Sequence, residues 1–241
     1  MSISHIQTLK ASPANGNGSV TLVSVAVGDL IVVTGISNVA GDMTAPSDGS
    51  NTYHPACPEK ADSGNGGVSH WYTVATTGGN LTVTLNGTSP YTTIIASTYR
   101  STAGWPAGTG AYDQHASGNG SGNTSANAVT SGATGTRAQA SELIVGSCST
   151  LSTSTCTFTA GTNFTIPTNG KEENGASNMT GATEYQTVAA VGTDAATFTE
   201  GASDDWACIV STFMENTGPA PSPLLPQPVI RPAFFRPGLA R

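Results

Sequence analysis

Short apolar runs separated by polar turns dominate this chain, and they occur in two matching sets. The run at residues 93–100 returns at residues 207–214, and each copy consists of β-branched and small apolar residues that end in Ser-Thr-aromatic. Runs of this length and composition predict buried strands rather than helices. The segments that precede each copy also correspond in order, at an offset of about 113 residues, which is the pattern of an internal duplication.

The duplication predicts an all-β, jelly-roll-like sandwich over residues 1–215, built from two related halves that share a core. The halves are residues 19–100 and 140–214, and a long Gly/Ser-rich loop at 101–139 joins them. The matched segments are 28–33 with 141–146, 51–53 with 162–164, 70–75 with 184–189, and 81–84 with 196–199. Two tandem immunoglobulin-like domains are the alternative, because each half offers five or six strands.

Composition agrees with many short strands and little helix. Only 10% of residues are charged, and Gly, Ser, Thr, Asn and Ala dominate, which favours tight turns. The 37% of hydrophobic residues concentrate in the strand runs, which is enough for a packed core. Polar loops are expected at 37–51 and 57–67, and a solvated turn at Lys171-Glu172-Glu173.

The character of the chain changes from Asn216 onward. Seven prolines lie between Pro219 and Pro237, interspersed with large apolar residues. Proline fixes φ and lacks an amide donor, so residues 216–241 are predicted to form an extended, polyproline-like arm. Its apolar and basic residues are the predicted partner-binding residues: Arg231, Phe234, Phe235, Arg236 and Arg241.

Charge separates the arm from the body. All 15 acidic residues lie at or before Glu215 together with five of the eight basic residues, so the body carries −10 and the arm +3. An acidic body argues against nucleic-acid binding, which requires clustered Lys and Arg. A basic arm is expected to dock on an acidic neighbour, such as another copy of the chain in a homo-oligomer.

No motif for catalysis, a metal or a cofactor stands out. The four histidines occur in unrelated contexts, and the cysteines lack the paired spacing of a zinc site. The cysteines are interpreted as reduced, with a Cys148–Cys156 hairpin bridge as the alternative. The amino terminus does not resemble a secretory signal, and no apolar run approaches membrane-spanning length. We therefore expect a non-enzymatic protein outside the membrane.

The segment 101–127 admits two interpretations. It carries Trp105, Tyr112 and His115 among small residues, and aromatic side chains on such a loop can stack on sugar rings. These three residues are the candidate glycan-binding site. The other interpretation is that Trp105-Pro106 folds back as a hydrophobic plug at the end of the sandwich, and it is favoured.

Several patterns together resemble β-sandwich proteins encoded in bacteriophage and prophage structural regions. They are the V-x-x-G-D-L-I-V-V strand, the D-G-S-N-T-Y turn, the S-E-L-I-V-G strand at mid-chain, and the final S-D-D-W-A-C-I-V strand. The resemblance covers residues 19–214.

The resemblance implies a virion structural protein, of the head-decoration, capsid-associated or tail-associated kind, assembled in the host cytoplasm. Its implied partners are other virion subunits, contacted through the arm, and no catalytic residues are implied. The competing hypothesis is a carbohydrate-binding or adhesive module that uses residues 101–127.

Overall fold

A computed structural model describes residues 3–13, 17–63, 66–87, 91–120, 128–150, 155–173, 179–201 and 204–216. Within these ranges the chain forms β-strands and a 3₁₀ turn at Gly108–Ala111. The strands are β1 (Ile3–Ala11), β2 (Ser19–Val25), β3 (Leu30–Ser37), β4 (Met43–Ser47), β5 (His54–Ala61), β6 (Gly67–Val74), β7 (Gly79–Gly87), β8 (Thr92–Ser101), β9 (Tyr112–Gly120), β10 (Ala128–Thr130), β11 (Ser141–Thr150), β12 (Phe158–Ala160), β13 (Lys171–Glu172), β14 (Thr180–Ala189), β15 (Thr197–Glu200) and β16 (Trp206–Met214). The predicted all-β class is confirmed.

The first half is a jelly roll. A five-stranded sheet has the order β1-β8-β3-β6-β5, and a three-stranded sheet has the order β2-β7-β4. The first strand thus pairs with the eighth, the second with the seventh and the third with the sixth, all antiparallel. Such nested pairs are those of a long hairpin rolled into two sheets. In an immunoglobulin-like domain the first two strands would share a sheet, whereas here β1 and β2 lie in different sheets.

The second half repeats this topology strand for strand. Its sheets have the orders β9-β16-β11-β14-β13 and β10-β15-β12, each the counterpart of a first-half sheet. Even an irregularity recurs, because the pairing of β1 with β8 shifts register between His5 and Gln7, and that of β9 with β16 shifts between Ser211 and Phe213. The duplication read from the sequence is therefore present in the backbone.

Each half has a core of its own between its two sheets. In the first half this core includes Ile31, Val33 and Leu85, and in the second it includes Ile144 and Phe198. Each half therefore has a core of its own, in addition to the core that the two halves share.

The two five-stranded sheets pack face to face, which produces four layers. Leu30 and Val32 of β3 share a cluster with Leu143 and Val145 of β11. All eight residues of β3 are buried, because one face covers the three-stranded sheet and the other covers β11. Burial on both faces explains why the run at 30–36 is nearly continuously apolar instead of alternating.

The sheet pairing relates the halves by a pseudo-twofold axis that runs along the strands between the central β3 and β11. The interface between the two five-stranded sheets is called the seam. Thr34 and Ser147 occupy equivalent positions and meet across it, with their hydroxyl oxygens 2.8 Å apart. The edge strand β1 of one sheet lies over β13 of the other, where Lys10 pairs with Glu172 at 3.0 Å.

Several predicted loops contain strands. The segment 37–51 contains β4 and the segment 57–67 overlaps β5, while the joining segment 101–139 contains β9 and β10. The Lys171-Glu172-Glu173 turn was expected to be solvated, but Glu172 belongs to β13 and is only 5% exposed. These strands lie at sheet edges or in the smaller sheets, where polar residues and short lengths hide the alternating pattern.

One matched pair of segments was aligned one residue out of register. In the sequence, His70 was matched with Glu184 as the equivalent residue of the second half. In the structure, Val32 pairs with Tyr72. Its counterpart Val145 pairs with Tyr185. Tyr72 and Tyr185 are therefore the equivalent positions. A shift of one residue exchanges the two faces of a strand, so His70 faces the other half, whereas Glu184 faces its own three-stranded sheet.

Candidate functional site

A polar cluster lies at the centre of the seam between the halves. His70 is fully buried there, with Nε2 2.7 Å from Ser147 Oγ and Nδ1 3.0 Å from Ser211 Oγ. Ser147 Oγ also donates to Thr183 Oγ1 at 3.0 Å. Burial lowers the pKa of His70 to about 3, so the ring is neutral. The cluster satisfies buried polar groups in the core, and its chemistry is that of a structural network.

An aromatic cluster flanks this centre on the side of β1 and β14. The rings of His5 and Tyr185 stack with centroids 4.9 Å apart, and Tyr99 meets Tyr185 edge-on at 5.6 Å. His5 Nε2 lies 2.7 Å from Thr8 Oγ1. Burial lowers the pKa of His5, which favours the neutral ring in the stack.

The pseudo-twofold axis generates a second aromatic cluster on the side of β6 and β9. Tyr72 stacks with Tyr112 at 6.1 Å and packs against Phe213 at 5.3 Å. The hydroxyl of Tyr112 hydrogen-bonds to His115 Nδ1, which repeats the bond between His5 and Thr8 in the first cluster. The two clusters are therefore copies of one arrangement.

A groove of about 550 Å³ lies beside the first cluster. One wall is β1 and the other is the loop that precedes β13, with Tyr185 between them. The lining residues are His5, Ile6, Gln7, Thr8, Leu9, Thr165, Ile166, Pro167, Thr168, Asn169 and Tyr185. At one end the groove is bordered by Lys10, whose ammonium group donates to the Lys171 carbonyl and to the Glu172 carboxylate.

No pattern in the sequence indicates this groove. Its walls come from segments about 160 residues apart, and none of them carries a motif. Its one unusual apolar residue is Ile6, which is 42% exposed although it lies in a strand, and that exposure is visible only in the structure.

The three residues predicted to bind glycans do not share one surface. Trp105 is 5% exposed and packs with Leu30, Leu143 and Phe213 at the end of the seam. This placement is that of a plug, the interpretation favoured from the sequence. Tyr112 is half-buried and His115 is exposed, both on the edge strand β9. Glycan binding stays a prediction for these two residues.

The predicted partner-binding residues of the arm, Arg231, Phe234, Phe235, Arg236 and Arg241, lie outside the described residues. The point where the arm begins is described, however. The Glu215 carboxylate accepts hydrogen bonds from Ser101 and Ser141, one residue from each half, and the Asn216 amide donates to the Gly104 carbonyl at 2.9 Å. The start of the arm is therefore fixed at the end of the seam.

The second half contains buried carboxylates. Glu184 is fully buried and accepts hydrogen bonds from the amides of Gly161 and Thr197, at 2.8 and 3.2 Å. Burial raises its pKa to about 7, and it does the same for Glu142 and Glu200. Arg137 and Asp194 form a buried ion pair at 2.6 Å.

Within the described part of the chain, no group of three or more His, Cys, Asp or Glu side chains is placed to hold a metal ion. The four cysteines are buried and none forms a disulfide, so Cys148 and Cys156 are not bridged in this structure. Cys148 lies opposite Cys208 on the paired strands β11 and β16. A search of the described residues for a helix long and apolar enough to cross a membrane found none.

Comparisons with known proteins add little to this picture. No family model matches the sequence, and no curated protein matches it. A solved structure titled "Red Clover Necrotic Mosaic Virus" aligns with 89% of this chain and 96% of that chain, at 12% identity and a TM-score of 0.24. An alignment with so low a score carries no argument about fold or function.

Proposed function

We propose that the chain is a non-enzymatic structural protein of a virion, a capsid-decoration or tail-associated subunit that docks on neighbouring subunits through its C-terminal arm. The observation that carries this proposal is the fixed start of the arm. Glu215 and Asn216 are held by both halves at the end of the seam, so the 25 residues that follow leave a rigid body from a defined point.

The body and the arm carry net charges of opposite sign. The body carries −10 and the arm +3, so the arm of one copy is attracted to the body of the next. Phe234 and Phe235 would fill apolar pockets on the neighbour, and Arg231, Arg236 and Arg241 would pair with its carboxylates. Two stacked jelly rolls also suit this role, since jelly rolls recur in viral capsid proteins.

Truncation tests the proposal. The full chain and a version ending at Thr217 are compared by native mass spectrometry and negative-stain microscopy, after circular dichroism has shown that both are folded. The full chain is expected to form symmetric oligomers or to decorate particles, and the truncated chain to stay a monomer. Two identical monomers that also fail to bind particles would contradict it.

The alternative is a carbohydrate-binding or adhesive module. What favours it is the pairing of half-buried Tyr112 with exposed His115 on an edge strand, beside Asp113 and Gln114, since an aromatic face next to polar groups suits a sugar. Saturable binding on a glycan array that is lost in Tyr112→Ala but kept in Ser117→Ala, an exposed residue farther along β9, would support it. A flat array for the full chain would remove it.

A further inference from the structure

The groove beside His5 and Tyr185 is close to the point where the arm begins. Ser101, which donates to the Glu215 carboxylate, is the pairing partner of Ile3 on β1. His5, at the near end of the groove, is two residues farther along the same strand. One strand spacing of about 5 Å and two residues of about 3.4 Å each separate Ser101 from His5, and the contact between Ser101 and Glu215 adds the length of two side chains. The arm therefore starts within about 20 Å of the groove, a distance that about six extended residues cover.

The groove has a direction. It follows β1 from His5 towards Leu9 and is bordered at the far end by the Lys10–Glu172 ion pair. The near end lies towards Ile3, whose pairing partner Ser101 contacts Glu215. A chain that enters there runs along β1 over the hydrogen bond that joins the two walls, from Asn169 Nδ2 to the Thr8 carbonyl at 3.2 Å.

The lining of the groove matches the first part of the arm in charge. No Asp, Glu, Lys or Arg is among its lining residues, and burial lowers the pKa of His5, which disfavours its charged form. Residues 217–230 of the arm also contain no charged residue, and the three arginines follow at 231, 236 and 241. An uncharged segment enters an uncharged groove without the cost of burying an unpaired charge.

The lining also suits the predicted conformation of this segment. Five of the seven arm prolines lie between Pro219 and Pro228, with Leu224 and Leu225 among them. Proline-rich segments dock in grooves lined by aromatic side chains because the polyproline conformation is already ordered before binding. Stacked His5 and Tyr185 provide the aromatic surface, and Ile6 provides exposed apolar surface for a leucine.

We infer that about five residues of the arm, within 219–228 and including Leu224, bind in the groove of their own chain, between β1 and the 165–169 loop. Five polyproline residues at about 3.1 Å each match the distance of about 14 Å from His5 to Leu9. The groove then sets the path of the arm, so that the charged segment from Arg231 onward projects past the Lys10–Glu172 pair. The use of that projecting segment on a neighbour rests on the proposed function, whereas the docking in the groove does not. The occupant is intramolecular because the short tether gives the arm of the same chain a high effective concentration.

Photo-cross-linking of the full chain tests this inference. Benzoylphenylalanine is incorporated at position 224, and the dilute protein is irradiated, digested and analysed by mass spectrometry. Cross-links within one chain to residues 5–9 or 165–169 are expected. The variant Ile6→Arg is expected to lower their yield at least about tenfold, because it places a charge in the groove. Thr168→Arg on the opposite wall is expected to act in the same way.

A matched control is Val39→Arg, at an exposed valine that does not line the groove, and the yield should not change. Cross-links to other surfaces, or an equal yield in Ile6→Arg and Thr168→Arg folded to the wild-type extent, would overturn the inference. Cross-links only between two chains would overturn it too, while leaving the proposed function in place. A monomer with intrachain cross-links in the groove would keep the inference and count against self-association.

Discussion

The seam between the halves predicts how stability depends on pH. His70 is fully buried among hydroxyl groups, and its pKa is lowered to about 3 by burial. In the unfolded chain the ring binds a proton near pH 6.5, whereas in the folded chain it stays neutral to about pH 3. The free energy of unfolding therefore decreases as the pH falls below 6.5. A His70→Gln variant does not show this decrease, because it has no titrating ring at this position.

The size of the effect follows from the shift in pKa. A pH of 4 lies about 2.5 units below the pKa of 6.5 that the histidine has in the unfolded chain. Each unit corresponds to about 1.4 kcal/mol in the free energy of unfolding. His70 should therefore lower the free energy of unfolding by about 3 kcal/mol between pH 7 and pH 4. The glutamine variant should be less stable than the wild type at pH 7, by about 1–3 kcal/mol, because its amide cannot meet both Ser147 and Ser211. The deficit should shrink or reverse at pH 4.

Other buried groups act in the opposite direction, so the comparison must be made between variants. The pKa values of Glu142, Glu184 and Glu200 are raised to about 7 by burial. The stability that each contributes is present below about pH 4.5 and is lost as the pH rises through 7. The wild-type curve alone therefore mixes both effects, whereas the difference between wild type and variant isolates His70.

The assay is urea unfolding followed by tryptophan fluorescence at intervals from pH 4 to pH 7.5. Ser211→Ala is the control, because it removes a partner of His70 but keeps the ring, so it should lower stability by about 1–3 kcal/mol at every pH. Parallel curves for wild type and His70→Gln across the whole range would refute the reasoning.

Two further predictions concern buried groups of the second half and the thiols. Glu184→Gln removes a carboxyl group whose pKa is raised by burial. Its free energy of unfolding should therefore increase relative to that of the wild type, by up to about 3 kcal/mol, as the pH rises from 4.5 to 8. A difference in urea unfolding that stays constant over this range would contradict this. The thiols should not react with Ellman's reagent in the folded chain, because all four are buried and burial raises the pKa of Cys57 to about 12 and those of Cys148 and Cys208 well above their usual value. Under non-reducing denaturation four thiols per chain should react, and a count of two would indicate a bridge.

The sequence predicted the elements that are buried on a regular pattern. The run at 30–33 and its counterpart at 143–146 are apolar because both of their faces are covered, and they lie in the central strands β3 and β11. The duplication was visible because the central strands of both halves keep the same residue types. Self-comparison of one sequence is sufficient for such a signal.

Edge strands with half-buried and exposed positions were not predicted from the sequence. The strand β9 reads Tyr-Asp-Gln-His-Ala-Ser-Gly-Asn-Gly, without apolar alternation, because it lies at the edge of its sheet with half-buried and exposed positions. Its place was fixed by pairing with β16, a partner about 100 residues away that no local pattern identifies. The register of β14 was missed for a related reason, since a slip of one residue still matches small and β-branched types.

The groove could not be predicted from the sequence because it depends on how the two halves pack against each other. Leu30 and Leu143 each indicate a buried strand, but nothing in either run states that they pack against each other. His5 and Tyr185 meet only after that stacking. The arm and its partner-binding residues rest on the prolines of the sequence alone and stay a prediction.

The measurement that tests the central claim most directly is a cryo-electron microscopy structure of the full chain in its assembled state. The account predicts copies in contact through the arm, with Phe234 and Phe235 in apolar pockets of a neighbouring copy or particle subunit. It also predicts about five residues of the stretch 219–228 in the groove along β1. An assembly held together by other surfaces, with no arm density on a neighbour, would contradict the account.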